Sequence, residues 1–310
     1  MHQDNKWIDK DGHIHYGQKV ISKDCFDVIE CEKCNFKHVI PIPTENELEE
    51  IYKQDYYLTE KPFYIERYLE DKDWWELIYN DRFETFEQSL PEGRRKILDI
   101  GSGPGLFLNL GRKRGWQTKG IEPSSQAAKY SKETLKLDIE EVFFDKDSSK
   151  TLGKYDVINM GEVLEHLPNP KEIIDLSYTS LNDDGLLCLI VPNDFNPFQM
   201  ILTDSMNFDP WWVAPPHHIN YFDFDSLETL VTKSGFKVIH KEPTFPIDMF
   251  LLMGENYISD DKLGRECHKK RKIFEMNLYK DKDLLKKLRK GFLDMKIGRE
   301  IVLYAQKVKF

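Results

Sequence analysis

Three groups of residues in this chain have the types and spacing that chemistry requires. The first is Asp99-Ile100-Gly101-Ser102-Gly103-Pro104-Gly105, with glycine at alternate positions. Glycines so placed let the backbone turn with positive φ and approach a ligand with no Cβ between, presenting N–H groups to it. Glu122 follows seventeen residues after Gly105, where its carboxylate can accept from both hydroxyls of a ribose. The second group holds bases: Glu162-Val163-Leu164-Glu165-His166, and the paired His217 and His218 after Pro215-Pro216. An imidazole titrates near neutrality, so a positioned histidine can take the proton of a reacting hydroxyl. His218 and His217 are favoured over His166, and only one of the adjacent pair is expected to face a site. The third group is His13, His15, Cys31 and Cys34, with Cys25 and His38 as rival ligands. Cys31-x2-Cys34 suits one half of a tetrahedral zinc site, and His13-x-His15 precedes it at a zinc-ribbon separation; a metal-free hairpin with buried cysteines is the alternative.

The pattern around these residues supplies a scaffold for them. Lys96–Ile100 is an apolar strand running into the glycine turn, and strands are also expected at 117–121, 141–144, 155–160 and 186–191, with helices between. Such alternation predicts a doubly wound α/β sheet that binds ligands at the carboxyl ends of its strands. Asn169 and Pro170 open a helix that Gly185 closes; Asp225 and Glu228 read as the capping box of another, which buries Leu227, Leu230 and Val231 and stops at Gly235. Strands at 236–241 and 298–308 complete the set.

Two segments exceed a minimal fold: 193–222, rich in aromatics and prolines, and 245–296, largely helical. Insertions of this length are usually lids or binding loops. Trp211, Trp212, Pro215 and Tyr221 offer flat faces, either for an acceptor or for anchoring the loop. Between Arg265 and Leu293 there are eleven Lys or Arg against four Asp or Glu, a solvated helix face or, alternatively, an anion-binding patch.

With 310 residues and a net charge of −10, the chain can bury a substantial core and is a poor match for bulk nucleic acid. Its N-terminus has no apolar signal region, and the strongest apolar run, Gly185–Pro192, is too short to span a bilayer, so a cytoplasmic protein is expected. Five cysteines, three of them between residues 25 and 34, suit a reducing compartment better than a disulfide framework.

Taken in order, the D-x-G-x-G-x-G turn, the strand ending in Glu122-Pro123 and the segment YDVINMGEVLEHLPNP (155–170) resemble the class I S-adenosylmethionine-dependent methyltransferases. The resemblance covers roughly residues 92–240 and the C-terminal strand. It implies a seven-stranded, mostly parallel Rossmann-like sheet whose last strand is antiparallel. By the same resemblance, Asp99, Gly101, Ser102, Gly103 and Gly105 hold the methionine part of the cofactor and Glu122 the ribose. Phe144 and Asp145 border the adenine, and Met160, Gly161 and Glu162 form the floor. Residues 1–60 are similar to a zinc module that precedes some sugar-modifying methyltransferases, with Tyr56 and Tyr57 closing over the cofactor; such modules have two C-x2-C pairs and this chain has one. The division expected is therefore 1–60 as hairpin or zinc-ribbon-like module and 61–310 as the methyltransferase domain. The activity expected is methyl transfer to a small-molecule acceptor, foremost an anionic nucleotide-sugar or surface-glycan precursor, at oxygen before carbon. A quinone or other aromatic metabolite is the rival acceptor, and a catalytically silent scaffold the rival class. A nicotinamide oxidoreductase is disfavoured because Leu106 stands where the dinucleotide fingerprint needs its third glycine.

Overall fold

The computed structural model describes residues 5–9, 12–44, 47–48 and 64–309. Tyr56 and Tyr57 lie outside the described residues.

A seven-stranded sheet forms the centre. Its strands are β5 (Lys96–Ile100), β6 (Gln117–Ile121), β7 (Ile139–Glu140), β8 (Tyr155–Gly161), β9 (Leu181–Pro192), β11 (Phe236–Pro243) and β12 (Glu300–Lys307), in the order β11-β12-β9-β8-β5-β6-β7. The five from β5 to β9 are parallel, and β12 inserts antiparallel between β9 and β11. Buried parallel strands are apolar on both faces, and successive residues here divide between two cores. Leu98, Ile158, Leu187 and Leu303 pack on one side; Ile97, Val157, Leu186 and Val302 pack on the other.

Helices fill both sides. Leu227 and Val231 of α8 (Phe224–Lys233) and Ile174 of α6 (Pro170–Ser180) serve the first core. Phe83 and Phe86 of α2 (Lys72–Ser89), with Leu108 and Leu110 of α3 (Leu106–Lys113), serve the second. The remaining helices are α1 (Tyr64–Glu70), α4 (Ser125–Glu133), α5 (Lys146–Leu152), α7 (Pro197–Met206), α9 (Met249–Leu252), α10 (Asp261–Leu278) and α11 (Lys282–Asp294).

Several local expectations shift. The third parallel strand is only β7, because 139–140 alone reaches β6, and Phe144 and Asp145 fall in the loop after it. Helix α6 opens at Asn169 and Pro170 but ends at Ser180; Gly185 lies five residues on, where the chain has already turned back towards β8. The capping box of α8 is Asp223 with Ser226, two residues earlier in the chain than the expected Asp225 and Glu228.

The N-terminal region forms a second sheet: β1 (Asn5–Ile8), β2 (Ile14–Lys23), β3 (Phe26–Cys31) and β4 (Phe36–Ile40), all antiparallel. Its fifth strand is β10 (Asn220–Tyr221), from the first insertion, paired with Lys37 and His38. A boundary at residue 60 therefore does not isolate this sheet. The indoles of Trp211 and Trp212 pack with Val28, Val39 and Tyr221 in its core, so they anchor the loop and do not line the cavity described below.

The charge reversal of the second insertion also has a structural cause. Arg289 bridges Asp81 and Glu242 at 2.7 and 2.9 Å, Lys282 reaches Glu84 at 2.6 Å, and Lys272 and His268 both meet Asp71. Lys272, Lys282 and Arg289 of α10 and α11 thus face carboxylates on or next to α2, and this part of the basic run is an ion-paired seam.

Candidate functional site

The glycine turn joins β5 to α3 at the carboxyl edge of the sheet. Gly101, Gly103 and Gly105 have φ of 71, 52 and 76°, values that L side chains rarely tolerate. A Cβ on Gly101 would stand 2.7 Å from Val163, and one on Gly105 would stand 2.6 Å from Leu137. The turn's amides are already engaged. Gly101 and Ser102 donate to the Ile121 carbonyl, at 2.8 and 3.0 Å, and Gly103 donates to Glu122 Oε2 at 2.7 Å. The glycines thus clear space for a ligand and tie the turn to β6, and these N–H groups are not left over to bind it.

Glu122 is 4 % exposed, and its Oε1 also accepts from Ser124 N at 2.8 Å. Burial outweighs these two backbone hydrogen bonds and pushes its carboxyl up to about 7. Asp99 is likewise raised to about 7 by burial, opposed by the Asn159 amide, which donates to it at 2.7 Å, and by the Arg82 charge.

These residues wall a cavity of about 950 Å³. Ligand sites span about 300–1,000 Å³, so the space accommodates a cofactor and an acceptor together. Asp99, Gly101, Ser102, Gly103, Glu122, Phe144, Asp145, Gly161 and Glu162 all line it. Two expected residues do not: Met160 points into the core, and Gly105 packs against α4 and the chain after it. Asp145 lies at the exposed rim, and its Oδ1 caps α5 by accepting from Asp147 N and Ser148 N, so that oxygen is committed to the helix start. Glu162 is a non-glycine residue at φ 55°, and its amide donates to the Ile190 carbonyl at 2.8 Å. Backbone held in this region concentrates at functional sites.

The histidines rearrange relative to expectation. His166 lines the cavity, whereas His217 and His218 stand behind it. The His218 ring packs edge-on against His166 with centroids 4.8 Å apart. His166 Nδ1 lies 2.7 Å from the His217 carbonyl oxygen, which can only accept, so the proton sits on Nδ1 and Nε2 is the basic atom. Glu165, fully buried, places Oε1 3.7 Å from that Nε2. Adjacent side chains diverge, and here the strand pairing of β10 spends both members of the pair on supporting His166.

The rest of the wall comes from residues that the motifs did not mark. Trp74, Trp75, Tyr79 and Arg82 project from α2, and His268, Arg271, Glu275, Tyr279 and Arg289 from the helical insertion. Trp75 stacks between Tyr68 and Tyr79, with centroids 5.2 and 5.4 Å away. Glu275 accepts from Trp74 Nε1 at 2.9 Å and from Arg271 Nε at 3.1 Å. Arg82 is 9 % exposed; among the described residues it has no carboxylate within ion-pairing distance, and its guanidinium lies over Tyr79 and Phe107, at 5.6 and 5.5 Å. The signal for this wall was present as the spacing Trp75, Tyr79, Arg82, which is one face of a helix.

A family model described as a methyltransferase domain matches residues 75–241, more than half of the chain. The chain belongs to the methyltransferase-domain family. Among curated relatives, ubiquinone biosynthesis O-methyltransferase of Albidiferax ferrireducens is 25 % identical over 127 residues, covering 36 % of this chain and 50 % of its own. That of Actinobacillus pleuropneumoniae serotype 7 is 33 % identical over 102 residues, covering 30 % and 44 %. The methyltransferase thus aligns with about half the length, or less, of these relatives. Two solved structures share its fold at a TM-score of 0.51. Magnesium protoporphyrin IX methyltransferase of Synechocystis PCC 6803, with bound S-adenosylhomocysteine, is 10 % identical, covering 84 % of this chain and all of its own. Plantazolicin methyltransferase BpumL is 14 % identical, covering 85 % and 97 %. The glycine turn, Glu122 and the Phe144 loop provide a cleared, acid-lined cradle that fits S-adenosylmethionine.

Four side chains of the N-terminal sheet also converge, apart from this cavity. His15, Cys31, Cys34 and His38 bring one ligand atom each within 4.8 Å of all the others. His38, the rival candidate, takes the place expected of His13, which is exposed and bonded to Asp9 at 3.0 Å. Cys25 is exposed, away from the cluster, on the turn between β2 and β3.

Proposed function

We propose that this methyltransferase methylates a hydroxyl oxygen of a small polar acceptor, foremost the sugar of an anionic nucleotide-sugar or surface-glycan precursor, with carbon as the second acceptor atom. The observation that carries this reading is the wall built by α2 and the helical insertion. It combines stacked aromatic faces on α2 with the carboxylate–guanidinium groups of Glu275, Arg271, Arg289 and Glu242. Aromatic faces take the C–H face of a sugar, and paired charges hydrogen-bond its vicinal hydroxyls. A second reading, a quinol or other aromatic acceptor, is supported by the names of the curated relatives.

When bound, S-adenosylmethionine supplies an electrophilic methyl on a sulfonium; transfer makes the C–O bond, breaks the C–S bond and returns the electron pair to sulfur. The protein's part is positioning and proton handling. Glu122 holds the ribose hydroxyls. Arg82, a buried cation beside Asp99 and the glycine turn, receives the carboxylate of the methionine end. His166 accepts the acceptor's hydroxyl proton at Nε2, and the resulting imidazolium is stabilised by Glu165.

The test is transfer of a labelled methyl group to a panel of nucleotide-sugars and catechol-type quinols. Labelled nucleotide-sugar supports the first reading; label only in the quinols replaces it with the second. His166→Ala should lower turnover by roughly 100- to 10,000-fold, the range for a lost general base, while binding of S-adenosylhomocysteine stays as in the wild type.

A further inference from the structure

The cluster in the N-terminal sheet has hydrogen bonding that makes little sense without a cation. His15 Nδ1 and His38 Nε2 face each other at 3.1 Å. The opposite nitrogen of each ring is committed as a donor. His38 Nδ1 lies 2.9 Å from the Val39 carbonyl oxygen, and His15 Nε2 lies 3.4 Å from Asp9 Oδ2. A carbonyl and a carboxylate accept, so the protons sit on those outer nitrogens and two lone pairs point at each other across the gap. Outer acceptors of this kind are what orient histidines that ligate metals.

Both sulfurs join them. Cys34 Sγ is 3.4 Å and Cys31 Sγ 3.8 Å from His15 Nδ1, and the Cys34 amide donates to Cys31 Sγ at 3.5 Å. Zinc–sulfur bonds of about 2.3 Å and zinc–nitrogen bonds of about 2.0–2.1 Å place tetrahedral ligands about 3.3–3.8 Å apart. The cluster already has this size, with His15, Cys31 and His38 buried.

We propose that His15, Cys31, Cys34 and His38 hold one structural zinc ion, and that this ion fixes the strap that supports His166. The ligands come from β2, the end of β3, the following turn and β4, so a shared ion pins three strands. With four protein ligands the site is closed, as structural zinc sites are, and binding releases the two thiol protons.

The connection to the cavity is short. His38 pairs with Asn220 across β4 and β10. Asn220 Nδ2 donates to the Leu164 and Leu167 carbonyls at 2.8 and 2.7 Å, Ile219 N donates to the Glu165 carbonyl at 2.8 Å, and the His217 carbonyl accepts from His166. Residues 217–220 thus hold the 164–167 segment from the zinc side. The ligand geometry is independent of the acceptor reading given above; only the link to His166 draws on it.

The first measurement is metal content of the full chain purified without chelator. One zinc per chain is expected, retained in His13→Ala and Cys25→Ser and lost in His38→Ala and Cys31→Ser. Should those two fail to fold, cobalt exchanged into the wild-type protein replaces them: tetrahedral cobalt bound by thiolate gives strong visible bands and a sulfur-to-metal charge-transfer band. Hydrogen exchange then reads the link. Stripping the metal should raise exchange at the amides of Ile219 and residues 164–167, while affinity for S-adenosylhomocysteine changes less than about twofold. Wild-type protein that binds neither zinc nor cobalt stoichiometrically, or holds a Cys31–Cys34 disulfide instead, overturns the site. Zinc lost on removing His13 overturns the ligand set. Exchange unchanged by stripping overturns the coupling alone.

Discussion

The two sides of the cavity are built differently. The cofactor side comes from the ends of adjacent parallel strands: the β5 turn, Glu122 after β6 and Gly161-Glu162 after β8. The rest of the wall gathers α2, the 164–168 segment, the helical insertion and the start of β12, elements up to about two hundred residues apart, as in the Trp74–Glu275 contact. A strand–turn–helix unit enforces its own geometry, so its function is written in contiguous residues. A wall gathered from distant elements exists only once the chain has folded.

The sharpest way to break this comparison is Glu122→Ala. It removes the carboxylate proposed to hold the ribose and also strands the amides of Gly103 and Ser124, each unsatisfied donor costing about 1–3 kcal/mol. Affinity for S-adenosylhomocysteine, followed by calorimetric titration, should fall by about 100-fold or more.

A smaller effect sharpens the placement of Arg82. Arg82→Met keeps the stem over Tyr79 and Phe107 but removes the charge, so affinity for S-adenosylhomocysteine should fall roughly 10- to 100-fold, the worth of a charge-assisted hydrogen bond. Affinity for methylthioadenosine, which lacks the amino-acid end, should not change. Equal losses for both ligands would give Arg82 a purely structural role.

The smallest effect is on pH. Burial raises Asp99 and Glu122 to about 7, so between the usual carboxylate range and pH 7 the folded protein holds protons that the unfolded chain has released. Stability of the cofactor-free protein should therefore fall as pH rises through that window and level off above it. Hydroxyls donating to Glu122 favour its ionised form, so cofactor affinity should rise by about 3- to 10-fold from pH 6 to 8. Glu122→Gln should flatten that rise; a profile unchanged by the substitution would show that Glu122 does not titrate with the cofactor.

Much of the architecture was legible because local rules and tertiary packing agree. The alternating strands, the Asn169-Pro170 helix start and the glycine turn each follow from residues close in sequence, while the antiparallel last strand was implied by the family resemblance. What was misread depended on partners. The run at 141–144 is apolar enough for a strand, but the neighbouring β6 pairs only with 139–140. Trp211 and Trp212 could serve a ligand or a core, and the presence of the N-terminal sheet beneath them decides for the core.

By itself the sequence determined the glycine turn of the cradle, since positive-φ turns need glycine, whereas the carboxylates found their donors partly through the fold, Glu122 from Gly103 and Asp99 from Asn159. It also brought together the chemical types of the Cys/His cluster. Only the tertiary structure chose His38 over His13, because β4 carries His38 inward while His13 stays exposed. Only it set His166 on the cavity wall with His217 and His218 behind, because pairing of β10 with β4 fixes which groups of that strap face inward. Strand pairing over long separations is not encoded in any single segment, and it is what turns these scattered side chains into a site.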